Sequence, residues 1–314
     1  MSRIVSCASY APSNIVTNDD LSKFVETSDE WIVQRTGIKR RHILDNETNG
    51  DMAYQAAKKA IEKSGLNKEE IDAILFATIT PEQLFPSMAC SLKKRLGIEK
   101  KEVLAFDLSA ACSGFVVALE CAHHLSKSYK NILIVASEAM SKIIDWQDRS
   151  TCVLFGDGAG AIVLTRSMDE HTFHSYTEHD INDSLVTNTI YDEKIKVSMK
   201  GNEVFRFAVR ALEKCIRKEC EEANCTIDEI DYIVAHQANQ RILQFVARQL
   251  GIPEEKFYKN LDEYGNTSSA SIPLALSEMI EKKLIQPNQK ICMVAFGAGL
   301  TYSSCLWKVE GEIK

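Results

Sequence analysis

The sequence predicts an α/β protein in five layers, an α/β/α/β/α sandwich built from two similar halves. Amphipathic helical segments alternate with short β-branched runs, which is typical of α/β units with mostly parallel sheets. Residues 57–77 read AKKAIEKSGLNKEEIDAILFA, and residues 211–235 read ALEKCIRKECEEANCTIDEIDYIVA. Both segments have the order helix, polar loop, Ile-Asp turn and strand, which indicates an internal repeat. Two such units, each with its sheet against shared helices, give the five layers.

The spacing of matched residues gives the register of this repeat. Leu96 and Leu250, each in a Leu-Gly-Ile motif, are separated by the same number of residues as Cys112 and Asn266. The repeat therefore predicts that Cys112 and Asn266 occupy equivalent positions, with chance similarity of helix–strand patterns as the alternative. The predicted halves are residues 1–166 and residues 167–314.

Composition restricts the classes of function. The 314 residues carry a formal net charge of -7, which argues against nucleic-acid binding because phosphate contacts need an excess of Lys and Arg. No run approaches the roughly 20 apolar residues of a membrane span, and no signal peptide is expected, so no membrane association is predicted. The ten cysteines include no CxxC pair, so neither a disulfide framework nor a metal site is expected. They fit a reducing compartment, and the predicted location is cytoplasmic.

Cys112 is the candidate nucleophile among these cysteines. It lies in Ser109-Ala-Ala-Cys-Ser-Gly, between a predicted buried strand at 103–108 and a predicted apolar helix. A thiol at a helix N-terminus lies close to unpaired N–H groups and to the positive end of the helix dipole, and we expect both to lower its pKa. The alternative is a buried structural cysteine, the commoner role of a lone cysteine. The turn of small residues before an apolar helix favours the nucleophile.

Two further residues are candidate partners of this thiol. His236 ends a predicted strand at 232–235, and the carboxyl ends of strands are where α/β folds commonly bind ligands. Asn266 lies in Gly-Asn-Thr-Ser-Ser, and a pseudo-twofold axis would bring it toward the same cleft as Cys112. A structural histidine and an asparagine that forms a turn or caps a helix are the alternatives. Together, the three residues predict a Cys-His-Asn active site.

The glycine-rich segment Phe155-Gly-Asp-Gly-Ala-Gly superficially matches a dinucleotide-binding loop. Such a loop has to open a helix, whereas the following Ala161-Ile-Val-Leu predicts a strand. We therefore expect a tight turn at a sheet crossing and no nucleotide at this segment.

Seven co-linear motifs carry a family resemblance over nearly the whole chain. They are Thr27-Ser-Asp-Glu-Trp-Ile-Val-Gln-Arg-Thr-Gly-Ile, Ser109-Ala-Ala-Cys-Ser-Gly, Phe155-Gly-Asp-Gly-Ala-Gly-Ala, Gly201-Asn-Glu-Val-Phe, His236-Gln-Ala-Asn, Gly265-Asn-Thr-Ser-Ser-Ala-Ser-Ile-Pro and Phe296-Gly-Ala-Gly-Leu-Thr. On these motifs the chain resembles the 3-oxoacyl-[acyl-carrier-protein] synthase III family of the thiolase superfamily, which initiates bacterial type II fatty acid synthesis. The resemblance implies a thiolase-like fold, in agreement with the five predicted layers.

The resemblance also implies a decarboxylative Claisen condensation. The Cys112 thiolate attacks an acyl-CoA, and malonyl-acyl carrier protein then binds and loses CO2. His236 and Asn266 donate hydrogen bonds to the malonyl thioester oxygen, and the resulting carbanion attacks the acyl group on the enzyme. The backbone N–H groups of Cys112 and Ala298 are implied to form the oxyanion hole. Acyl-CoA is a substrate in this scheme, and no metal or other cofactor is implied.

Further binding positions follow from the resemblance alone. The positions implied to lie at the CoA site are Thr27, Trp31, Arg35, Arg149, Asn202 and Asn239. Phe85 and Phe155 are implied to border the acyl pocket and the interface of a homodimer. Residues 167–196 depart from the family pattern, so the sequence does not predict the preferred acyl chain.

A basic stripe is predicted on the helix that follows Gly201. Basic residues recur there every four positions, with apolar residues on the opposite side. Two arginines on the helix after His236 extend this surface. The predicted docking residues for an acidic carrier protein are Arg206, Arg210, Lys214, Arg241 and Arg248. The alternative is a solvated helix face, the usual role of such a stripe.

A thiolase function is rejected, and two alternatives to the condensation remain for the same residues. A thiolase would carry a second cysteine just before its C-terminal glycine loop, but here that loop begins Val294-Ala-Phe-Gly and Cys292 is out of register. A divergent Cys-His-Asn acyltransferase, or a quinolone-type synthase of secondary metabolism, would use the same three residues without malonyl-carrier protein. An inactive homologue is disfavoured because all three catalytic positions are present.

Overall fold

The computed structural model describes residues 2–168 and 171–314. Its strands are β1 Ser2–Tyr10, β2 Ile15–Thr17, β3 Arg40–His42, β4 Ala73–Ala77, β5 Leu104–Leu108, β6 Asn131–Glu138, β7 Gly158–Arg166, β8 Thr172–Thr177, β9 Leu185–Thr187, β10 Val197–Met199, β11 Tyr232–Ala235, β12 Lys290–Gly297 and β13 Thr301–Lys308. Its α-helices are α1 Asn18–Leu21, α2 Asp29–Thr36, α3 Asn49–Ser64, α4 Met88–Arg95, α5 Gly114–Leu125, α6 Gly201–Glu222, α7 Gln240–Leu250, α8 Leu261–Tyr264 and α9 Ser271–Glu281.

Two β-sheets enclose a central layer of two helices, α5 and α9. Phe115 of α5 and Ile272 of α9 belong to one buried cluster with Leu75 of the first sheet and Met293 of the second. Helix α3 packs on the outer face of the first sheet, where Phe76 points away from the centre because successive side chains on a strand alternate in direction. Helices α6 and α7 cover the outer face of the second sheet. The predicted five layers are confirmed.

The two sheets are mixed, and the expectation of mostly parallel sheets was wrong. The first sheet has the order β1-β7-β6-β4-β5, with β4 parallel to both of its neighbours but β1 and β6 antiparallel to β7. The second has the order β11-β12-β13-β8, with only β11 and β12 parallel. The reason is local: residues 298–300 link β12 to β13 without a crossover helix, so the strand has to return antiparallel.

The internal repeat is visible in the structure, but its register differs from the prediction. In both repeated segments a helix is followed by a short 3-10 turn with a capping box and then by a strand, β4 or β11. Farther along, the 3-10 turn Ala111–Ser113 precedes α5 exactly as Ser268–Ala270 precedes α9. Each turn begins with a residue of positive φ, 47° at Ala111 and 50° at Ser268.

These turns make Ser269, and not Asn266, the structural equivalent of Cys112. The prediction of equivalent positions was therefore wrong, because three additional residues separate the second helix pair from the preceding Leu-Gly-Ile motif. The strands of the first sheet all come from residues 2–166, and those of the second from residues 172–308. The division of the chain at residue 166 as a domain boundary stays a prediction. Among the described residues, no helix is long and apolar enough to span a membrane.

Candidate active site

Cys112 lies on the 3-10 turn between β5 and α5 and is 8% exposed. Its Sγ–H donates to Ser268 Oγ at 3.4 Å. Burial raises the pKa of the Cys112 thiol to about 12, the negative charge of Glu138 raises it further, and the bond with Ser268 opposes the rise. The expected lowering by the helix N-terminus was therefore wrong in direction, because desolvation outweighs it in this buried position. With its pKa raised in this way, the Cys112 side chain is a thiol near pH 7.

His236 directly follows β11 and is almost completely buried. Its Nδ1 shares a 2.8 Å hydrogen bond with Ser271 Oγ at the start of α9, and its ring contacts the edge of Phe296 at 5.3 Å between centroids. Burial lowers the pKa of His236 to about 3, so the imidazole is neutral near pH 7. Since Nδ1 is occupied, Nε2 is the ring nitrogen left for a ligand.

Asn266 is held by backbone and side-chain hydrogen bonds. Its N–H donates to Leu154 O at 2.8 Å, and its carbonyl accepts from Gly156 N at 3.1 Å, which fixes the loop against the glycine-rich turn. The side-chain Oδ1 accepts the N–H of Ser268 at 2.9 Å. The amide Nδ2, which can only donate, is left for the cavity. Gly265 has a φ of 65°, which glycine adopts without strain.

A close backbone approach brings β12 onto the nucleophile. A Cβ on Gly297 would lie 2.7 Å from Cys112 N and 3.1 Å from Ala111 Cβ, so only glycine fits here. Ala298 follows immediately, and both Cys112 and Ala298 border the larger of the two cavities described below. The glycine-rich segment at 155–160 leads into strand β7 and opens no helix, as predicted.

Cys112, His236 and Asn266 all line one cavity of about 210 Å³. The fold therefore brings together the three residues predicted from the sequence, although the repeat register predicted for Asn266 was wrong. Trp31, Arg35, Arg149 and Asn239 line the same cavity. Among the described residues, no group of three or more His, Cys, Asp or Glu side chains could hold a metal ion.

The side chains near Trp31 form a cationic and aromatic rim. The guanidinium carbon of Arg149 lies 4.8 Å from the Trp31 ring centroid, and that of Arg35 lies 5.7 Å from it. Asn239 caps α7 by accepting the N–H of Arg241 at 2.9 Å, and its Nδ2 donates to Arg35 O at 3.1 Å. This contact ties the start of α7 to the end of α2.

Two of the predicted CoA positions lie outside this cavity. Asn202 is exposed on the first turn of α6 and does not line it. Thr27 is also absent from the lining, and its buried Oγ1 has no hydrogen-bond partner among the described residues. Their predicted roles stay predictions.

A second, wider cavity of about 1280 Å³ also has Cys112 in its lining. Phe155 and Leu185 border both cavities, so they form part of the wall between them. Ile190, Ile195 and Val197 complete the apolar lining on one side. Leu185, Ile190 and Ile195 belong to the segment 167–196, in which the sequence departs from the family pattern. Phe85, in contrast, is 84% exposed.

The predicted basic surface is present on α6 and α7, but its members differ in their contacts. Arg210 pairs with Glu178 at 2.5 Å, and Lys214 donates to the Tyr302 hydroxyl at 2.8 Å. Arg206 and Arg241 are exposed and have no side-chain partner among residues 2–168 and 171–314. Arg248 is also exposed, and its guanidinium carbon lies 5.4 Å from the ring centroid of Phe245.

Three polar residues behind the site were not predicted from the sequence. Ser268 contacts the Cys112 thiol, Ser271 orients His236, and the buried Glu138 at the end of β6 accepts hydrogen bonds from the 268–270 turn. Ser268 and Ser271 lie in the motif around Asn266, where they read as turn and cap residues. Glu138 lies at a strand end with no hydrogen-bonding partner nearby in the sequence, so no sequence pattern identified it as part of the site.

A five-layered sandwich of two similar halves, with a cysteine, a histidine and an asparagine around one cavity, defines a thiolase-fold condensing enzyme. Two family models match the chain, "3-Oxoacyl-[acyl-carrier-protein (ACP)] synthase III" over residues 106–180 and its C-terminal counterpart over residues 220–309. The chain belongs to the 3-oxoacyl-[acyl-carrier-protein] synthase III family.

Relatives and solved structures agree with this assignment. The chain is 47% identical to the β-ketoacyl-[acyl-carrier-protein] synthase III of Clostridium acetobutylicum, covering 97% of this chain and 98% of the relative. It is 48% identical to that of Acholeplasma laidlawii, covering 98% of each. The crystal structure of the Aquifex aeolicus 3-oxoacyl-[acyl-carrier-protein] synthase III superposes with a TM-score of 0.93 at 45% identity, covering 98% of this chain and 99% of that one.

Proposed function

We propose that this protein carries out the initiating condensation of fatty acid synthesis, in which an acyl-CoA primer is joined to malonyl-acyl carrier protein through an acyl-Cys112 intermediate. The observation that carries the proposal is the convergence of Cys112 Sγ, His236 and Asn266 on one cavity. The names of relatives at 47% and 48% identity support this reaction over a divergent acyltransferase or a quinolone-type synthase.

In the first half-reaction, the Cys112 sulfur bonds to the carbonyl carbon of the acyl-CoA. The bond from that carbon to the CoA sulfur breaks, and CoA leaves as the thiol after gaining the proton lost by Cys112. The negative charge on the carbonyl oxygen is stabilised by the backbone N–H groups of Cys112 and Ala298. The close approach of Gly297 to Cys112 supports this role because it holds the two backbone segments together.

In the second half-reaction, malonyl-carrier protein loses CO2 and its α-carbon attacks the acyl group on Cys112. Two donors are needed for the thioester oxygen, and the hydrogen-bonding pattern supplies them. Ser271 Oγ accepts the N–H of Gln237 at 3.3 Å, so its own hydrogen is available for His236 Nδ1 and the imidazole proton then lies on Nε2. Asn266 presents Nδ2 because its Oδ1 is already engaged by Ser268.

The rim around Trp31 is the proposed site of the CoA nucleotide. An adenine ring can stack on an indole or a guanidinium plane, and Arg35 and Arg149 can pair with phosphates. Both arginines lie within 6 Å of the Trp31 ring, at 5.7 and 4.8 Å. We assign Asn239 to the same cavity, and Thr27 and Asn202 to its outer part.

The wider cavity is the proposed acyl site, with Phe155 and Leu185 at its junction with the smaller cavity that we assign to CoA. We further propose a homodimer whose interface includes Phe85, because Phe85 and the neighbouring Leu84 are 84% and 76% exposed, a costly arrangement for two large apolar side chains in a monomer. All ten cysteines are free, which supports the cytoplasmic location.

The surface of α6 and α7 is the proposed docking site for the carrier protein. Arg206 and Arg241 are exposed and Arg248 flanks the exposed Phe245, so this surface offers both charge and an apolar contact. Arg210 and Lys214 already have intramolecular partners and are expected to contribute less.

Intact-mass spectrometry tests the proposed reaction. The protein is incubated with a panel of acyl-CoAs, and malonyl-carrier protein is then added. We expect one acyl group on Cys112, absent from C112A, and its release on addition of malonyl-carrier protein. Acylation without release would favour the acyltransferase function, and no acylation by any primer would exclude both enzymatic functions. The panel also reports the preferred chain length.

A further inference from the structure

Glu138 is a completely buried carboxylate behind the active site, and the reaction proposed above does not use it. It ends β6, and its exposed fraction is 0%. A buried carboxylate is costly unless its oxygens are hydrogen-bonded, and this one has an unusually complete set of donors.

The two carboxylate oxygens share the N–H of Ile79, which lies 3.1 Å from Oε2 and 3.3 Å from Oε1, but they differ in their hydroxyl partners. Oε2 accepts from Thr80 Oγ1 at 2.7 Å, Thr78 Oγ1 at 3.1 Å and Ile79 N at 3.1 Å, all on the loop after β4. Thr80 Oγ1 also accepts the N–H of Ala139 at 2.9 Å, which leaves its hydrogen available to donate to Glu138. These three donors disfavour a proton on Oε2.

Oε1 faces the other half of the molecule. It accepts from Ser269 Oγ at 2.7 Å and from Ser268 Oγ at 3.4 Å. Ser269 Oγ also lies 3.4 Å from Ala77 O, so its hydroxyl can turn toward that carbonyl and then accept a hydrogen bond from a protonated Oε1. A proton on Glu138 therefore has one well-defined place, and it lies on the side of Cys112.

Ser268 connects the two titratable groups. The Cys112 thiol donates to Ser268 Oγ at 3.4 Å, and the Ser268 hydroxyl donates to Glu138 Oε1, also at 3.4 Å. The donors and acceptors run in one direction from sulfur to carboxylate. Both distances have to shorten for transfer, as catalytic hydrogen bonds commonly do when substrate binds.

We propose that Glu138 is a positioning residue that receives the Cys112 proton through Ser268 during acyl-enzyme formation, an inference that rests on the proposed function. The thiol proton moves to Ser268 Oγ as the Ser268 hydroxyl proton moves to Glu138 Oε1, while the sulfur bonds to the acyl carbon. When the carbon–sulfur bond to CoA breaks, the proton returns to the CoA sulfur. CoA leaves as the thiol, and Glu138 is again a carboxylate.

The net charge of the buried site supports this route. Loss of the thiol proton to solvent would leave two negative charges in one buried site, whereas transfer to Glu138 keeps one. Burial raises the pKa of the Glu138 carboxyl, which makes it a better base, and lowers the pKa of His236 to about 3, which makes the imidazole a poor one. The other side chains that contact Glu138 are neutral hydroxyls, so the titratable groups of this site are these two and Cys112.

Single-turnover acylation of the full-length protein tests the route. E138Q keeps the shape of the side chain but removes the base, and S268A removes the connection. We expect both to slow acylation at pH 7 by on the order of 100-fold, the usual range for a positioned proton acceptor. S269A is the matched control, since Ser269 contacts the same oxygen but not the thiol; its loss should be clearly smaller. E138D should recover part of the rate.

The sign of the E138Q effect separates this role from a purely electrostatic or structural one. If Glu138 were only a buried charge, its removal would stabilise the thiolate and speed acylation. In contrast, the proposed route predicts slow acylation that recovers as the pH is raised. The condensation step of pre-acylated E138Q should stay close to that of the wild type, because it takes no proton from Cys112.

Two results would overturn the inference: E138Q as fast as the wild type or faster, or equal losses in S268A and S269A. Either can occur while the wild type is acylated normally, so failure of this inference is distinguishable from failure of the proposed function. Should E138Q not fold, the comparison of S268A with S269A decides alone.

Discussion

The approach of Gly297 to Cys112 makes Gly297→Ala a sharp test of the oxyanion hole. An added Cβ would lie 2.7 Å from Cys112 N, 3.1 Å from Ala111 Cβ and 3.3 Å from Cys112 Cβ. The nearest of these is a backbone atom, so relief requires the end of β12 to move. The φ of Gly297 is -167°, which any residue adopts, so the effect of this substitution is purely one of space.

The magnitude follows from two separate costs. Overpacking of a close contact costs about 1–3 kcal/mol, which for a chain of this size corresponds to a fall in Tm of roughly 2–6 °C. Displacement of the neighbouring Ala298 N–H removes one donor to the oxyanion, which costs on the order of 100- to 1,000-fold in rate. We therefore expect a folded enzyme that is acylated at least about 100-fold more slowly.

Differential scanning calorimetry and single-turnover acylation measure the two costs. Gly201→Ala is the matched control for stability, because its added Cβ would meet only Met199 Cε, at 4.0 Å, and should leave Tm unchanged or higher. Acylation of G297A at the wild-type rate would refute the assignment of Ala298 N–H to the oxyanion hole. A lower rate that is explained by unfolding would appear as a Tm below the assay temperature.

Three further predictions concern substrate binding and pH. W31A should raise KM for acyl-CoA with little change in kcat, because it removes a stacking surface remote from the sulfur; an unchanged KM would place the nucleotide elsewhere. The double variant R241E/R248E should raise KM for malonyl-carrier protein in steady-state kinetics. The control K218E, on the basic stripe of α6, should raise it less because Lys218 is already paired with Glu221. Equal effects of the two variants would argue against a specific docking site. Because the pKa of His236 is low in the folded protein, the imidazole binds a proton more tightly in the unfolded chain than in the folded one. The free energy of unfolding therefore falls as the pH drops from about 6.5 toward about 3. Chemical denaturation of H236N should therefore show about 2–3 kcal/mol less loss between pH 7 and pH 4.5 than the wild type, and parallel curves would contradict the burial of a neutral imidazole.

The features that the sequence predicted well are those with a local chemical signature. The small-residue turn before an apolar helix marked Cys112, and the strand end marked His236. Both positions are fixed by a few neighbouring residues, so their chemistry could be read without the fold. The alternation of helix and strand likewise predicted the layers.

Long-range quantities were not available from local patterns. The pKa of Cys112 depends on how much protein covers the thiol, and burial reversed the expected direction of its shift. The direction of β13 depends on a short link at 298–300 that no periodicity reports. Glu138 is paired with residues 58–131 positions away in sequence, so its role could be recognised only once the sheet had brought them together.

The corrected repeat also explains why Glu138 stands where it does. Strand β4 pairs in parallel with β6 as β11 pairs with β12, and this register makes Glu138 the equivalent of Gly297 at the last position of each strand. Gly297 lies against the turn that carries Cys112, and Glu138 hydrogen-bonds to the equivalent turn that carries Ser269.

The two halves therefore present the same contact, a strand end against a 3-10 turn, with different chemistry. In one copy the strand end is a glycine, which brings a backbone donor close to the nucleophile. In the other copy the strand end is a carboxylate, held by serines that also reach the nucleophile through Ser268. The two turns are neighbours, so divergence of one contact supplies the proposed oxyanion donor and divergence of the other supplies the proposed proton acceptor. The duplication thus places the proposed oxyanion donor and the proposed proton acceptor around the single thiol of Cys112.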